Sequence, residues 1–409
     1  MTLLSQAFRA QAKQTKDISQ TNEMIYSVCY PTGFLNLDFA NGFIQEVNGQ
    51  LKFELGLSDG SINMIISDSG VGKTTLSTQI AANIIKRFKT SVVFYEQAEV
   101  GTHIQRIKDL SLFDNEEDFF NRFIVRDGGI TIESVYKRVK MVHDIKVNNK
   151  EEYLYFTGMN DINGNPIYKF EPTIFIIDSV AMVLSEKNAE AEESNNMAAA
   201  TNAKANSEYY KKMVPLCREA NIIMILINHI TTDINTGFLP KKSELAYLKQ
   251  GEHISGGRSL TYIQNNIFRL DIKSKLKPEE GFGITGSVVN IDIVKSRTNK
   301  SSRARCFLVF NQETGYDPDL SLLLLLKENK ILEGSGAYLK LPGYDKKFSQ
   351  KQFKSILYSD PDFYNAFVSI CLEYLKKEML EEYYRIKAEE EMRLKNASPY
   401  EAILAQLSN

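Results

Sequence analysis

The sequence predicts an α/β protein with a central, mostly parallel β-sheet. Short apolar runs that end in polar residues occur at 64–66, 92–95, 173–177 and 222–227. Segments with apolar residues at helical spacing separate these runs, and strands that alternate with helices are typical of a parallel sheet. Because a glycine-rich loop follows the first run, we expect a ligand site where the strands end.

Composition indicates a globular chain with room for more than one domain. The 409 residues are 43% hydrophobic and 24% charged, and the formal net charge is -2. This balance supplies no general attraction to nucleic acid, so such binding would depend on a local patch. The sequence has no signal peptide and no membrane-spanning run, and we expect a cytoplasmic protein. The spacing of the cysteines argues against a zinc site or a disulfide framework: Cys29, Cys217, Cys306 and Cys371.

Residues 1–30 are expected to form an N-terminal arm. Leu3, Leu4, Ala7 and Phe8 would lie on one side of a short helix. Such a helix either packs on its own domain or docks on a neighbouring subunit, and both interpretations stay open. After the segment 31–38, the stretch as far as residue 56 is expected to be irregular.

A phosphate loop is predicted after the first apolar run. Successive backbone N–H groups, with a helix N-terminus behind them, form a cradle for an oligophosphate. Lys73 adds a positive charge at the terminal phosphates, and the Thr74 hydroxyl can bind Mg²⁺. Ser67 stands where such loops usually begin with Gly, which requires a negative φ or some strain. We expect the whole phosphate loop to bind nucleotide: Ser67, Asp68, Ser69, Gly70, Val71, Gly72, Lys73, Thr74 and Thr75.

Carboxylates follow two further strands. Glu96 and Glu99 come directly after the run 92–95, where either can polarise a water for attack on a γ-phosphate, or simply face solvent. Asp178 ends the run 173–177. In the company of a phosphate loop, we expect this carboxylate and Thr74 to hold Mg²⁺.

His229 follows the run 222–227 and is placed to contact the γ-phosphate, although a lone His is more often structural. The next segment, 231–255, shows no strong periodicity and carries Phe238, Lys241 and Lys242. Its aromatic residues could stack on bases, and the alternative is an ordinary surface loop. Arg258 lies just beyond it.

A basic turn is predicted between strands at 288–294 and 304–310. Residues 295–305 contain five cations, among them Lys295 and Arg297, and no acid. Such a turn is either a phosphate-binding patch or a solvated hairpin tip. Earlier in the chain, residues 151–172 resemble a peripheral hairpin insertion. Residues beyond 318 are expected to be mainly helical.

These motifs together resemble the RecA-type recombinases, and those of tailed bacteriophages more than the bacterial ones. The Lys-Ser-Arg-Thr segment is similar to the phage members most specifically. The resemblance implies a RecA-like P-loop ATPase core over residues 31–318, between the arm 1–30 and a C-terminal helical domain 319–409. The segments that carry the resemblance are 31–38, 99–101, 177–181, 227–230, 256–257, 295–298 and 326–338.

The resemblance also implies residue roles. Glu99 takes the place of the carboxylate that activates the attacking water, and Glu96 is the alternative, since an extra residue after the strand blurs the alignment. His229 stands where bacterial members carry Gln. Lys295 and Arg297 stand where the family's cations reach the ATP of a neighbouring subunit.

The implied partners are single-stranded and double-stranded DNA, further copies of the chain in a helical filament, and single-strand-binding and mediator proteins. Phe238, Lys241, Lys242 and Arg258 are the expected DNA-binding residues. The implied function is ATP-dependent homologous pairing and strand exchange, with ATP and Mg²⁺ as cofactors. The alternatives are a ring helicase or an accessory DNA-repair ATPase on the same core, or a DNA-binding scaffold with negligible turnover.

Overall fold

The computed structural model has an α/β architecture with a large mixed sheet that is mostly parallel. It describes residues 27–47, 49–99, 101–161, 164–189, 196–232, 245, 247–255, 257–279, 281–298, 305–334 and 338–395. The predicted helix around Leu3 to Phe8 therefore lies outside the described residues.

The described strands include both the long core strands and short hairpins. They are β1 Cys29–Tyr30, β2 Phe43–Val47, β3 Gln50–Glu54, β4 Leu57–Ser58, β5 Ile62–Ser67, β6 Val93–Gln97, β7 Phe123–Asp127, β8 Leu154–Asn160, β9 Pro166–Phe170, β10 Thr173–Asp178, β11 Ile222–Thr232, β12 Glu252–Ile254, β13 Asn266–Leu276, β14 Gly286–Ser296, β15 Arg305–Asn311, β16 Gly315–Asp317, β17 Tyr338–Lys340 and β18 Lys347–Ser349.

The described α-helices separate the parallel strands and fill the C-terminal segment. They are α1 Leu35–Asn41, α2 Lys73–Ile85, α3 Ile104–Ser111, α4 Glu116–Arg122, α5 Ile132–Asn148, α6 Lys150–Tyr153, α7 Glu186–Ala189, α8 Asn196–Ala220, α9 Gly257–Ile263, α10 Pro318–Glu328, α11 Phe353–Ser359 and α12 Pro361–Lys395.

The central sheet runs in the order β16-β15-β14-β13-β5-β11-β10-β6-β7, with β12 beside β11. Strands β13, β5, β11, β10, β6 and β7 are parallel to one another. Strands β14, β15 and β16 extend the sheet antiparallel. The parallel strands therefore end together at one edge, called here the carboxyl edge, and begin at the opposite amino edge.

Helices cover both faces of the sheet, which explains why β5 and β10 are buried at every residue. On one face, Leu76 and Ile80 of α2 pack against Tyr95. On the other, Val139 of α5 and the α8 helix pack against Phe94. Because neighbouring residues of a strand point to opposite faces, this division decides which polar side chains near the strand ends can meet.

The predicted strands, the strand-loop-helix unit at 62–85 and the hairpin insertion are confirmed. The expectation of an irregular stretch before residue 56 was wrong, because β2 and β3 pair there as a hairpin. Ile44 and Phe53 of this hairpin pack with Leu375 and Met379 of α12. Its apolar partner lies more than three hundred residues further along the chain, so no local pattern could reveal it.

Helix α8 begins at Asn196, in a stretch whose polar residues are more typical of a loop. An alanine run at 198–200 favours helix there. Asn202 and Asn206 both donate side-chain hydrogen bonds to the carbonyl of Val183, at 2.9 and 3.2 Å. The polar residues that resembled a loop thus satisfy a buried backbone group.

The segment after Pro318 is mainly helical, as predicted, and also contains the small hairpin β17-β18. Its core includes Leu323, Phe353 and Phe363, together with Val309 of β15. The C-terminal segment therefore shares buried surface with the central sheet. In the part of the chain that the structure describes, no helix has the length and apolar character that crossing a membrane requires.

Asn221 connects three segments at the amino edge. It is 3% exposed and has a φ of 50°, which Asn tolerates better than most residues. Its side chain accepts from the N–H of Gly60 at 3.0 Å and donates to the Tyr30 hydroxyl and the Phe170 carbonyl, both at 2.6 Å. The bond to Phe170, in β9, attaches the hairpin insertion to the end of α8.

We expect Asn221→Ala to lower the free energy of unfolding by about 2–4 kcal/mol, because buried partners lose their bonds and Ala is strained at positive φ. Urea titration followed by circular dichroism measures the change. Asn148→Ala, at the exposed end of α5, is the control, with an expected change within about 0.5 kcal/mol. Equal unfolding midpoints for the two variants would contradict this account.

Candidate functional site

The carboxyl edge brings the predicted site residues together. Ser67, at the end of β5, lies opposite His229 of β11. Asp178, at the end of β10, lies opposite Gln97 of β6. The phosphate loop leaves β5 at this edge and enters α2 at Lys73. Open parallel sheets bind their ligands at such an edge.

The phosphate loop takes its shape from two glycines. Gly70 and Gly72 have φ values of 78° and 99°, which other residues rarely adopt. Ser67 still belongs to strand β5 and has no positive φ. Its hydroxyl donates to the Asp68 carbonyl at 2.7 Å. The backbone at Ser67 thus avoids the positive φ that would strain a serine at this position.

Lys73 folds back over the start of the loop. Its Nζ donates to the carbonyls of Ser67 and Asp68 at 3.1 and 2.8 Å, and lies 3.4 Å from Nδ1 of His229. Burial lowers the pKa of the ammonium, against the charges of Asp178, Glu99 and Asp68. The cation is thus held at the loop by backbone oxygens that an anionic ligand could replace.

Asp178 accepts two hydroxyl bonds on one carboxylate oxygen. Thr74 Oγ1 and Tyr95 Oη donate to Oδ2 at 2.7 and 2.8 Å. Burial raises the pKa of the carboxyl, while these two bonds oppose the rise. A carboxylate and a hydroxyl in contact are the protein ligands that Mg²⁺ uses beside phosphates and waters.

No group of three or more His, Cys, Asp or Glu side chains in the described ranges is arranged to hold a metal. A magnesium that is mainly bound by phosphates and waters does not need such a group. The pair of Thr74 and Asp178 therefore fits a metal that arrives with a nucleotide, rather than one bound by the protein alone.

The backbone of Asp178 positions Glu99. Its carbonyl accepts the N–H groups of Ala98 at 2.7 Å and of Glu99 at 2.8 Å. The Glu99 carboxylate lies 2.8 Å from Nε2 of His229, whose other ring nitrogen faces Lys73. Glu99, His229 and Lys73 thus form a chain of polar contacts beside the loop. The Glu99 side chain is 48% exposed, so it remains accessible to water.

Glu96 points to the other face of the sheet. It is completely buried, and Arg138 of α5 donates to its Oε1 at 2.5 Å. Burial raises the pKa of this carboxyl, against the opposing charge of Arg138. Strand alternation explains the separation, since Tyr95 and not Glu96 shares the face of Thr74. The structure thus brings Glu99, and not Glu96, to the phosphate loop.

Lys295 and Arg297 lie at the amino edge. Ser296 pairs with Asn266, which pairs with Asn63 of β5. Four residues of strand, about 13 Å, separate Asn63 from the end of β5. Within one subunit, the two cations therefore lie at the amino edge, and the phosphate loop lies at the carboxyl edge.

The same cations bind the end of α9. Lys295 Nζ donates to the Thr261 and Tyr262 carbonyls at 2.5 and 3.3 Å, and the Arg297 guanidinium also donates to the Tyr262 carbonyl. Cations commonly satisfy the free carbonyls at a helix C-terminus. Burial, and then the charge of Arg297, lowers the pKa of Lys295 to about 8.

The predicted loop 231–255, called here the long loop, is anchored at both ends beside His229. Strand β12 pairs with the end of β11. Asn228 donates to the Ser255 carbonyl at 2.8 Å. Arg269 binds both carboxylate oxygens of Glu252 at 2.7 and 3.0 Å. Phe238, Lys241 and Lys242 lie outside the described residues, and Arg258 lies in helix α9.

Sequence reasoning missed two tyrosines of the site. Tyr95 binds Asp178, and Tyr316 donates from its hydroxyl to the Val71 carbonyl of the loop at 3.0 Å. The period of two along β6 could have identified Tyr95, since it shares a face with α2. No local pattern could identify Tyr316, which is 245 residues from Val71.

Compared with the models of known protein families, the chain matches none.

We expect Asp178→Asn to raise the melting temperature of the nucleotide-free protein at pH 7–8. In the wild-type chain, the pKa of the Asp178 carboxyl is raised in the folded state, so the ionised carboxylate opposes folding at pH values above that pKa. The gain should shrink as the pH falls through the raised folded-state pKa and should vanish below the ordinary carboxyl value of 3.8, where both states are protonated. Calorimetry across pH 3.5–8 measures this.

Asp360→Asn is the control of opposite sign. The bond from the Tyr344 hydroxyl lowers the pKa of the Asp360 carboxyl, so its ionised form favours folding at pH 7. This variant should lower the melting temperature at pH 7. A lower melting temperature for Asp178→Asn at pH 7 would contradict the burial argument.

Proposed function

We propose that the chain is an ATP- and DNA-dependent recombinase whose ATPase sites are completed between neighbouring copies in a filament. The observation that carries the nucleotide part is the convergence of Lys73, Thr74, Asp178 and Glu99 at one sheet edge. The DNA part rests on the resemblance of several ordered motifs to phage recombinases.

In the proposed reaction, the loop amides and Lys73 hold the phosphates of ATP. Thr74 and Asp178 would hold Mg²⁺, which would supply positive charge beside the phosphates. Catalysis of phosphoryl transfer depends mainly on positioning and on neutralising charge. The hydroxyl bonds on Asp178 and the start of α2 at Lys73 support this assignment, because they align the metal ligands before the nucleotide arrives.

Glu99 is the residue that we assign to the attacking water. It follows β6 at the carboxyl edge, is accessible, and is positioned by the Asp178 carbonyl. His229 contacts both Glu99 and Lys73, so it is suited to respond when a γ-phosphate occupies the site. Asn228, its neighbour, is bonded to the end of the long loop. This contact offers a route from the nucleotide to the loop expected to bind DNA.

The position of Lys295 and Arg297 supports assembly from head to tail. They cannot reach their own phosphate loop across the sheet. A neighbour related by a heterologous contact would present its carboxyl edge to this amino edge, and repetition of that contact builds a filament or a ring. The cations would then neutralise charge on the neighbour's phosphates, as the resemblance implies.

Mixing two inactive variants tests this assignment. The first variant is Lys73→Ala, and the second carries both Lys295→Ala and Arg297→Ala. We expect each variant by itself to lose DNA-stimulated ATP hydrolysis. An equimolar mixture should recover activity, because about a quarter of randomly formed interfaces combine an intact Lys73 with intact cations. Arg305→Ala is the matched control, since Arg305 pairs with Asp292 of its own subunit, and it should remain active.

No recovery in the mixture, with each variant folded, would contradict completion of the site by a neighbour. Negative-stain images with single-stranded DNA and a slowly hydrolysed ATP analogue separate the remaining classes. Helical filaments that catalyse strand exchange support the recombinase. Closed rings that unwind duplex DNA would establish the alternative, a ring helicase.

Glu96 and Glu99 lie in different environments, because Glu96 is buried against Arg138 and Glu99 is exposed beside His229. We expect Glu99→Gln to lower ATP turnover by about 100-fold or more while ATP still binds. Glu96→Gln should instead leave ATP turnover nearly unchanged, because Glu96 lies on the other face of the sheet against Arg138. Turnover and melting temperature of both variants measure this. Full turnover of Glu99→Gln would assign the attacking water to a different residue, whereas negligible turnover of the wild-type chain would favour the scaffold.

A further inference from the structure

Tyr316, in the outermost strand β16, lies against the phosphate loop. It is 2% exposed, and its ring packs on Phe34 and Phe310 with centroid distances of 6.1 and 5.1 Å. Its hydroxyl donates to the Val71 carbonyl at 3.0 Å. A Cβ on Gly72 would lie 2.9 Å from this hydroxyl oxygen. The ring therefore occupies the space beside the loop that a larger residue at Gly72 would need.

The bond to Val71 determines the direction of the next amide. In a trans peptide, the carbonyl and the following N–H point in opposite directions. With the Val71 carbonyl held by Tyr316, the N–H of Gly72 points away from Tyr316. Amides of such loops bind phosphate only when they point inward together. A rotated Val71–Gly72 peptide would place a carbonyl oxygen where the amide belongs.

Tyr316 is itself held by the helix that follows the loop. The Gln79 side chain of α2 accepts from the Tyr316 N–H at 2.8 Å and donates to the Tyr316 carbonyl at 3.0 Å. Loop, helix and β16 thus form a closed set of contacts. The two bonds from Gln79 fix the backbone of Tyr316. The bond from the Tyr316 hydroxyl to the Val71 carbonyl then fixes the loop relative to that backbone.

We propose that Tyr316 is a positioning residue for phosphate binding, which keeps the Gly72 amide directed at the nucleotide's terminal phosphates. This inference rests on the proposed nucleotide-binding function and adds a residue that the phosphate-loop motif does not contain. Tyr316 touches no phosphate in this account. It acts through the Val71 carbonyl, and its hydroxyl is the group that matters.

The test compares Mg²⁺-ADP binding to the full chain and to Tyr316→Phe by calorimetry at 20 °C. We expect the dissociation constant to rise about 3- to 10-fold, the change associated with one ordinary hydrogen bond. Tyr210→Phe is the matched control. Tyr210 is also fully buried, and its hydroxyl has no hydrogen-bond partner among the described residues, so ADP affinity should not change.

A purely structural role for Tyr316 predicts a lower melting temperature with unchanged ADP affinity, and that result would overturn the proposal. If Tyr316→Phe does not fold, Gln79→Met decides instead. It removes both backbone bonds to Tyr316 and should likewise weaken ADP binding, whereas unchanged affinity would overturn the proposal. A wild-type chain that binds no ADP would refute the proposed function itself, which is a different result from equal binding by wild type and variant.

Discussion

The burial of one carboxylate at the end of a central strand is the constraint on which the candidate site depends. The side chain of Asp178 accepts the hydroxyls of Thr74 and Tyr95, and its carbonyl accepts the amides of Ala98 and Glu99. A buried charge is tolerated only when hydrogen bonds satisfy it. The same bonds that satisfy Asp178 also determine where the Thr74 hydroxyl and Glu99 lie.

The two edges of the parallel sheet divide the proposed chemistry. The carboxyl edge collects the phosphate loop, Asp178, Glu99 and His229. The amino edge holds the cations that the proposed reaction also needs, bonded to the end of α9. A parallel sheet keeps these edges apart by the length of its strands. Under the proposed function, this separation makes assembly a condition of activity, since no movement of a side chain could bridge it.

Much of the fold could be predicted because its core strands carry a local signal. Apolar runs buried on both faces are nearly continuous in sequence, as in β5 and β10. The segments that prediction missed take their stability from distant partners. The β2-β3 hairpin packs on α12, and the first turns of α8 are held by bonds to Val183. A local pattern is weak wherever the compensating contact is far away in the chain.

The sequence by itself determined the strand-loop-helix unit at 62–85 and the residue types that stand at the strand ends, because loop geometry and strand burial impose local spacing. It left Glu96 and Glu99 as alternatives. Only the tertiary structure separated them, by turning Glu96 onto Arg138 and holding Glu99 beside His229. It also decided that Tyr316 supports the loop and that Lys295 faces the opposite edge. These relations depend on which strands become neighbours, and strand order is a property of the whole chain.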